Sequence, residues 1–381
     1  MARSGQRPGA LRALRELLAR AERVADERAV ELLESTVGPS LRAVDREAVA
    51  AAVAGARRGE QEIDAWLVEV LSQLAPEGRR SATRAVELAR SLLPHIRDLL
   101  GPETVELLRS AAREPANAES LEDLDTELIE KVAGPIDAAL ASYFRLEVEG
   151  IDRIPRGPAL LVSNHEGGIS FVQLLGMGAR FYLERGVDEP IVGLMHDAMF
   201  DVPALGNLLT HLGAIRASHA AADRALGQGA KVWVAPGGNL EAFRRFDERY
   251  TIKFGERRGW VRLARRNRVP IVPVVFIGGQ ETFFVLDDGA YLAENLGLKR
   301  RFRIDTLPIF VGLPWGIGVG PLFHLPLPAK CKVRFLEPIP TDGHAGLTET
   351  EAEDRVYAEV TSAMQEALTQ MASERRFPVI G

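Results

Sequence analysis

Residues 159–171 read ALLVSNHEGGISF, and this stretch decides how the surrounding chain can fold. A short, continuous apolar run ends at Asn164 and His165 and is followed at once by two glycines. Such a run, bounded by polar residues and glycine, predicts a strand that is buried on both faces. The segment therefore predicts a sheet with a polar turn at the carboxyl end of one strand.

Similar apolar runs alternate with helical stretches on the C-terminal side of Phe144. Besides ALLVSN (159–164), they are PIVGLM (190–195), KVWVAP (231–236), PIVPVVFIG (270–278) and KVRFLEPI (332–339). This alternation predicts an α/β fold with a mostly parallel central sheet flanked by helices. A final helix is predicted from about Thr348 to Met371, with Val356, Val360, Met364 and Leu368 on one stripe.

Leucine and isoleucine spacings of three and four before residue 108 predict helices instead of strands. We therefore predict three parts: an N-terminal all-helical region at 1–140, an α/β domain at 141–345, and a C-terminal helix at 346–381 that packs on the α/β domain.

The composition excludes several classes of protein. With 46% hydrophobic and 26% charged residues in 381, the chain is neither mainly disordered nor fibrous. A net charge of −6 lacks the basic excess of a nucleic-acid-binding protein. One cysteine, Cys331, and scattered histidines give no metal-ligand spacing, so no metal site is expected. The N-terminus lacks the apolar core of a secretory signal, so we expect a cytoplasmic protein.

His165 is the first candidate for chemistry. The carboxyl ends of strands in open α/β sheets are where binding sites form. The near-neutral pKa of imidazole suits it to remove a proton, and Gly167 and Gly168 would let the backbone approach a ligand closely. The alternative interpretation is a histidine that only caps the strand.

A second candidate turn, Pro236-Gly237-Gly238, follows the run KVWVA and precedes Glu241. Its exposed N–H groups could hold an anion or an oxyanion, although turns are more common than sites. Residues 244–268 then carry a net charge of +7, which suggests a phosphate-rich partner. The alternative there is a solvated helix face whose charges are paired.

Together these segments resemble the glycerolipid/lysophospholipid acyltransferase superfamily, and within it the monoacylglycerol/diacylglycerol acyltransferase-like branch. Four blocks occur in the order of that family. They are Asn164-His165, LGAIRASHAAADRALGQG (212–229) with Arg216 at its basic position, VAPGGNLEAF (234–243) and VPIVPVV (269–275). The resemblance covers about residues 141–345.

The resemblance implies acyl transfer from a thioester, acyl-CoA or acyl-ACP as co-substrate, to a hydroxyl of a glycerolipid or lysophospholipid. His165 would be the general base, and no further cofactor is implied. The residues expected to bind substrate are Asn164, Gly167, Gly168, Arg216, Pro236, Gly237 and Gly238.

The chain departs from the family at the acid that orients the histidine. Many members have an aspartate shortly after it, whereas residues 169–172 here are Ile, Ser, Phe and Val. Glu241, and after it Glu166, are the expected substitutes as third members of the catalytic group. The missing acid leaves open a weak or inactive relative that binds lipids or acyl chains, or a scaffold whose N-terminal helices recruit partners.

Residues 306–329 contain no Asp, Glu, Lys or Arg but five prolines. Proline would break a lipid-exposed helix, so we predict a buried or interfacial loop instead of a membrane span. With Phe310, Trp315 and Phe323 in the stretch and a basic cluster before it, we expect peripheral association with a membrane surface. The cluster consists of Lys299, Arg300, Arg301 and Arg303.

Overall fold

The structure is a computed structural model that describes residues 98, 100–168, 170–295, 305–312, 316–320, 324, 326–342 and 346–376. Most of the predicted N-terminal helical region lies outside these residues. So do Ile169, Trp315, Phe323 and the predicted basic cluster at 299–303.

A seven-stranded sheet forms the centre of the described chain. Its spatial order is β1 (Glu147–Glu149), β10 (Lys332–Phe335), β6 (Ile271–Ile277), β2 (Ala159–Ser163), β5 (Lys231–Val234), β3 (Ile191–Met195) and β4 (Ala214–Arg216). The five strands from β6 to β4 are parallel, and β10 pairs antiparallel with β6. The predicted mostly parallel α/β fold is confirmed, and all five predicted apolar runs contain strands.

Helices cover both faces of this sheet. The helices in the described part of the chain are α1 (Pro102–Arg113), α2 (Thr126–Phe144), α3 (Val172–Arg185), α4 (Pro203–His211), α5 (His219–Gly227), α6 (Asn239–Ala242), α7 (Gly259–Asn267), α8 (Ala290–Asn295) and α9 (Glu349–Ser373). Side chains of β2 alternate between the faces, as the pleat requires. Leu160 shares a cluster with Leu368 of α9, while Leu161 shares one with Phe181 of α3.

Helix α2 packs against α3, and α1 packs against α4 and α2. Val132, Ile136 and Ala179 belong to one buried cluster. Asp125 caps α2 by accepting a hydrogen bond from the Leu128 N–H at 2.8 Å. Because α2 continues to Phe144, whose ring is buried beside the sheet, the helical segment and the α/β domain share one core.

A smaller antiparallel sheet has the order β7 (Phe284–Asp287), β8 (Ile309–Gly312) and β9 (Gly316–Val319). The prediction of a loop for all of 306–329 is therefore wrong for 309–312 and 316–319. Pairing with β7 and with each other gives the backbone groups of these segments partners that a buried loop would lack. Phe310 is fully buried against Phe283, with ring centroids 4.7 Å apart.

No helix in the part of the chain that the structure describes is both long and apolar enough to cross a membrane.

Helix α9 docks on the sheet through its predicted stripe. Val356, Val360, Met364 and Leu368 are all fully buried. Its N-terminus has a capping box, in which Thr348 and Glu351 satisfy each other's main-chain N–H groups. Ion pairs also join α9 to α7 and the residue before it: Arg258 with Asp354 at 2.7 Å, Arg262 with Glu353 at 2.9 Å and Arg265 with Glu349 at 2.9 Å.

We expect Leu368→Ala to lower the free energy of unfolding by about 2–5 kcal/mol, because it opens a cavity between α9 and the sheet. The matched control is Leu183→Ala in α3, where the side chain is 50% exposed and the loss should be below about 1 kcal/mol. Urea unfolding of the full chain measures both. Equal losses would show that α9 does not dock on the sheet as described.

Candidate active site

Three strand ends meet where the sequence places its candidate motifs. In the sheet, β2 lies between β5 and β6, and all three run parallel. The residues that follow them are therefore neighbours at one edge of the sheet. These are Asn164 and His165 after β2, the turn Pro236-Gly237-Gly238 after β5, and Gly278 to Glu281 after β6.

Asn164 fixes the end of β2 to β6. Its Oδ1 accepts a hydrogen bond from the Phe276 N–H, and its Nδ2 donates to the Phe276 carbonyl, both at 2.8 Å. The side chain is fully buried. Its side-chain amide thus continues the pairing between the two strands. The main chain that leads into His165 is therefore held in a fixed position. The prediction that Asn164 binds substrate gains no support from these contacts.

Glu241 lies next to His165, as the sequence predicted, but at its main chain. One carboxylate oxygen accepts from the His165 N–H at 3.0 Å, and the other accepts from the Lys253 N–H at 2.8 Å. Gln280 donates to the Glu241 carbonyl at 2.9 Å. The fold does bring the ends of β2 and β5 together, yet this carboxylate is not hydrogen-bonded to the imidazole.

Glu166 is also hydrogen-bonded to groups other than the imidazole of His165. It accepts from Arg244 Nη2 at 2.6 Å, from the Gly279 N–H at 3.1 Å and from Asn164 at 3.3 Å. Arg244 also lies 3.5 Å from Glu241. Burial raises the pKa values of both carboxylates, and the Arg244 guanidinium opposes that rise. The prediction that one of these acids orients the ring of His165 therefore needs correction.

His165 is half-buried as a residue, and the Nδ1 atom of its ring is buried and has no hydrogen-bond partner among the described residues. Burial, and next the Arg244 guanidinium, lower the pKa of His165 to about 4. The ring is therefore neutral at pH 7. A neutral imidazole can accept a proton, which is the state that a general base requires.

Gly167 and Gly168 serve close packing within the protein. Both have positive φ angles, +76° and +61°. A Cβ on Gly168 would lie 2.7 Å from the His324 ring and 3.1 Å from Phe283, and one on Gly167 would lie 3.1 Å from the Gly279 carbonyl oxygen. Both residues are buried. The neighbouring aromatic rings and main chain thus explain why both positions need glycine, and the role of these residues in ligand binding stays a prediction.

The Pro236-Gly237-Gly238 turn is held in place by protein groups. A Cβ on Gly237 would lie 2.3 Å from Glu241 Cγ, so only glycine lets the carboxylate pass beneath the turn. Arg257 donates to the carbonyls of Pro236 at 2.9 Å and Gly237 at 3.0 Å. Its guanidinium also pairs with Asp305 at 2.8 Å. Arg257 is thus a structural clamp on the turn.

Arg216 lies apart from His165, because β5 and β3 separate β4 from β2 in the sheet. Its guanidinium is 3.4 Å from Glu119 and 3.5 Å from Asp197, and it stacks over the Phe200 ring at 5.1 Å. It lines a polar pocket of about 190 Å³ with the segment that joins α1 and α2. The structure therefore places this predicted binding residue at a separate surface.

Most of the basic charge of residues 244–268 is paired. Besides the buried Arg244, the pairs are Arg245 with Asp247, Lys253 with Glu248, Arg257 with Asp305, Arg258 with Asp354, Arg262 with Glu353, Arg265 with Glu349 and Arg266 with Asp223. The net charge of +7 is thus largely offset by acids from elsewhere in the chain, so the interpretation as a paired helix face accounts for it.

Sequence reasoning missed the role of Arg244, which it counted among the surface cations. The available signal was its spacing of three from Glu241, which brings the two side chains together on a helical turn. It also missed Gln173 and Gln280, buried amides that bond to the main chain of Asn164 and Glu241. Neither glutamine lies in a recognisable motif.

Comparison with known proteins identifies the segment that carries this site. Residues 145–277 match the family model described as Acyltransferase. The chain is similar to this family over residues 145–277. The match includes β2, β5, β6 and the turns that follow the first two, so His165, Glu241 and Arg244 all belong to the acyltransferase segment.

Individual relatives extend beyond the acyltransferase segment. An uncharacterized protein of Mycobacterium tuberculosis is 34% identical over 231 residues, which are 60% of this chain and 61% of that one. A mouse protein named DGAT1/2-independent enzyme synthesizing storage lipids is 28% identical over 178 residues, or 47% and 52% of the two chains. The chain thus spans about half to three-fifths of the length of these relatives.

Among solved structures, the 1-acyl-sn-glycerophosphate acyltransferase PlsC of Thermotoga maritima aligns with a TM-score of 0.40 and 16% identity. The alignment covers 63% of this chain and 82% of that one.

Removing the buried guanidinium of Arg244 should be costly. We expect Arg244→Met to lower the free energy of unfolding by about 3–5 kcal/mol, because two buried carboxylates lose their counterion. Arg245→Met is the matched control: its side chain is 48% exposed and pairs with Asp247, so the loss should stay below about 1 kcal/mol. Chemical denaturation of the two variants decides the point. Similar small losses in both would contradict the buried pairing.

Proposed function

We propose that the protein is an acyltransferase that moves a fatty acyl group from a thioester, acyl-CoA or acyl-ACP, to a hydroxyl of a glycerolipid or lysophospholipid. His165 is its general base. The observation that carries this proposal is the neutral imidazole of the half-buried His165 at the carboxyl end of β2, inside the acyltransferase segment. In α/β folds, binding sites usually lie at the carboxyl ends of the parallel strands, which is where His165 is found.

In the proposed reaction, the neutral ring of His165 takes the proton of the acceptor hydroxyl while its oxygen attacks the thioester carbonyl carbon. The new C–O bond forms an ester as the C–S bond breaks. The leaving thiolate then takes the proton from the imidazolium, which gives a free thiol and restores the neutral base. Atoms and charge balance without a further reactant, and no separate cofactor takes part.

The turn after β5 is proposed to stabilise the negative charge on the carbonyl oxygen during this step. Gly238 has a positive φ angle of +50°, and Arg257 holds the carbonyls of Pro236 and Gly237. A turn fixed from its carbonyl side needs little reorganisation when charge develops, which is the condition for electrostatic stabilisation.

One observation favours a second function, a catalytically weak relative that binds lipids or acyl chains. Neither Glu241 nor Glu166 is hydrogen-bonded to the ring of His165, and no other carboxylate in the described residues is. An imidazole without an acid partner is a weaker base in acyl transfer. Turnover measurements separate the two functions, since only the enzyme releases free thiol.

We further propose that a cytoplasmic form of the protein meets its acceptor at a membrane surface by reversible, peripheral binding. Support comes from the uncharged stretch 306–329 and the basic residues before it. Co-sedimentation with vesicles that contain anionic lipid, at low and high salt, tests this part of the proposal. Binding that is weakened by salt is the expected result.

His165→Ala should lower the rate of acyl transfer by about 10²-fold or more, because it removes the group that takes the hydroxyl proton. The assay follows release of thiol from acyl-CoA and from acyl-ACP with a panel of lysophospholipids and acylglycerols. His219→Ala, an exposed histidine in α5, is the control and should keep wild-type turnover. Undiminished turnover in His165→Ala would remove His165 from the mechanism.

The pH dependence should report the low pKa of this base. A base whose pKa lies at about 4 instead of 6.5 stays neutral, and active, as the pH falls from 7 to 5. We therefore expect kcat/KM to decline only as the pH approaches about 4, provided that the chain remains folded. A half-maximal point near pH 6.5 would contradict the burial of the imidazole.

A further inference from the structure

Several polar atoms in this region are buried without hydrogen-bond partners among the described residues, and two of them belong to the proposed base and to the first turn of α3. They are Nδ1 of His165 and Oε1 of Gln173. An unsatisfied buried polar atom costs about 1–3 kcal/mol, so such atoms in one region need an explanation. One of the pair can act as a donor and the other is an acceptor, which makes them complementary.

The position of Gln173 brings it close to His165 in the fold. It is the second residue of α3 and is only 4% exposed. Its Nε2 donates a hydrogen bond of 2.9 Å to the main-chain carbonyl of Asn164, the residue before His165. A carbonyl oxygen can only accept, so this contact fixes which end of the amide is nitrogen. Oε1 is thereby left as a free acceptor beside the strand end.

The two acids expected to orient His165 already have other hydrogen-bond partners. Both oxygens of Glu241 accept main-chain N–H groups, from His165 and from Lys253. Glu166 is bonded to Arg244 and to the Gly279 N–H. Arg244 is the charged group that acts on the ring, and none of the carboxylates is hydrogen-bonded to Nδ1.

We propose that Gln173 is the positioning residue of His165 and takes the place of the missing acid. Its Oε1 accepts the hydrogen of Nδ1–H after a rotation of the two side chains that brings these buried atoms within hydrogen-bond distance, in the free protein as well as in the loaded site. This keeps the proton on Nδ1 and leaves the lone pair of Nε2 to act as the base. The inference rests on the proposed function, since it assigns how that same histidine is oriented.

An amide differs from a carboxylate in one physical respect. It fixes the tautomer without adding negative charge, so it does not favour the imidazolium as an aspartate would. This agrees with a ring that stays neutral well below pH 7. The site would thus combine a correctly oriented base with a low basicity, instead of the stronger base of a carboxylate pair.

Nitrogen-15 NMR of the His165 ring in the full chain tests the inference without any substrate. His165→Ala identifies the signals. We expect the wild type to be the Nδ1–H tautomer, and Gln173→Leu to shift it toward Nε2–H. Gln173→Glu, which has nearly the same shape, should raise the pKa of His165 by about one unit or more. Gln365→Leu and Gln365→Glu are the controls, because Gln365 bonds to Tyr250 and Ile252 instead; neither should alter the ring.

Turnover gives the second measurement. Gln173→Leu should lower kcat by about tenfold or more with little change in KM, because orientation of the base matters in the transition state. Gln173→Glu should restore part of the rate and move the acid limb of the pH profile upward. If the wild type has no acyltransferase activity, the proposed function fails, but the NMR result still decides the pairing. An unchanged tautomer and pKa in both Gln173 variants would overturn it.

Discussion

The buried guanidinium of Arg244 lies between Glu166 and Glu241, and much of the site is arranged around these three groups. All three side chains are nearly inaccessible to water, so each needs the others and further hydrogen bonds to offset its desolvation. Those bonds come from the main-chain N–H groups of His165, Lys253 and Gly279. The loops after β2, β5 and β6 are therefore joined by one polar network instead of by apolar contacts alone.

This network separates two properties that are often coupled in an acyl-transfer site. It holds the backbone of His165 firmly, because the strand end is bonded to Glu241. It leaves the ring without a negative neighbour on Nδ1, because the carboxylates face the guanidinium. Position and basicity of the imidazole are thus set by different residues, and a change in one can occur without a change in the other.

The sequence predicted the features that depend on local pattern. Strands β2, β3, β5 and β6 are continuous apolar runs, as buried parallel strands must be. Strands β1 and β4 have only three residues each and are too short to show a pattern. The contacts of Arg244, and the acids at 349–354 that neutralise residues 258–265, depend on segments that meet only in the folded chain. Net charge within a window cannot reveal them.

The ion pairs between α7 and α9 affect the register in which α9 docks on the sheet. The buried residues Val356, Val360, Met364 and Leu368 recur every four positions, so a slide of one turn, about 6 Å, would set apolar side chains on apolar sites again. Hydrophobic burial alone therefore distinguishes these registers poorly. Glu349 and Glu353 are also four residues apart, so such a slide would leave one of the three arginines facing a carboxylate, but the other two ion pairs would be lost. The ion pairs therefore favour one register of α9 on the sheet, whereas its apolar face alone would fit several registers.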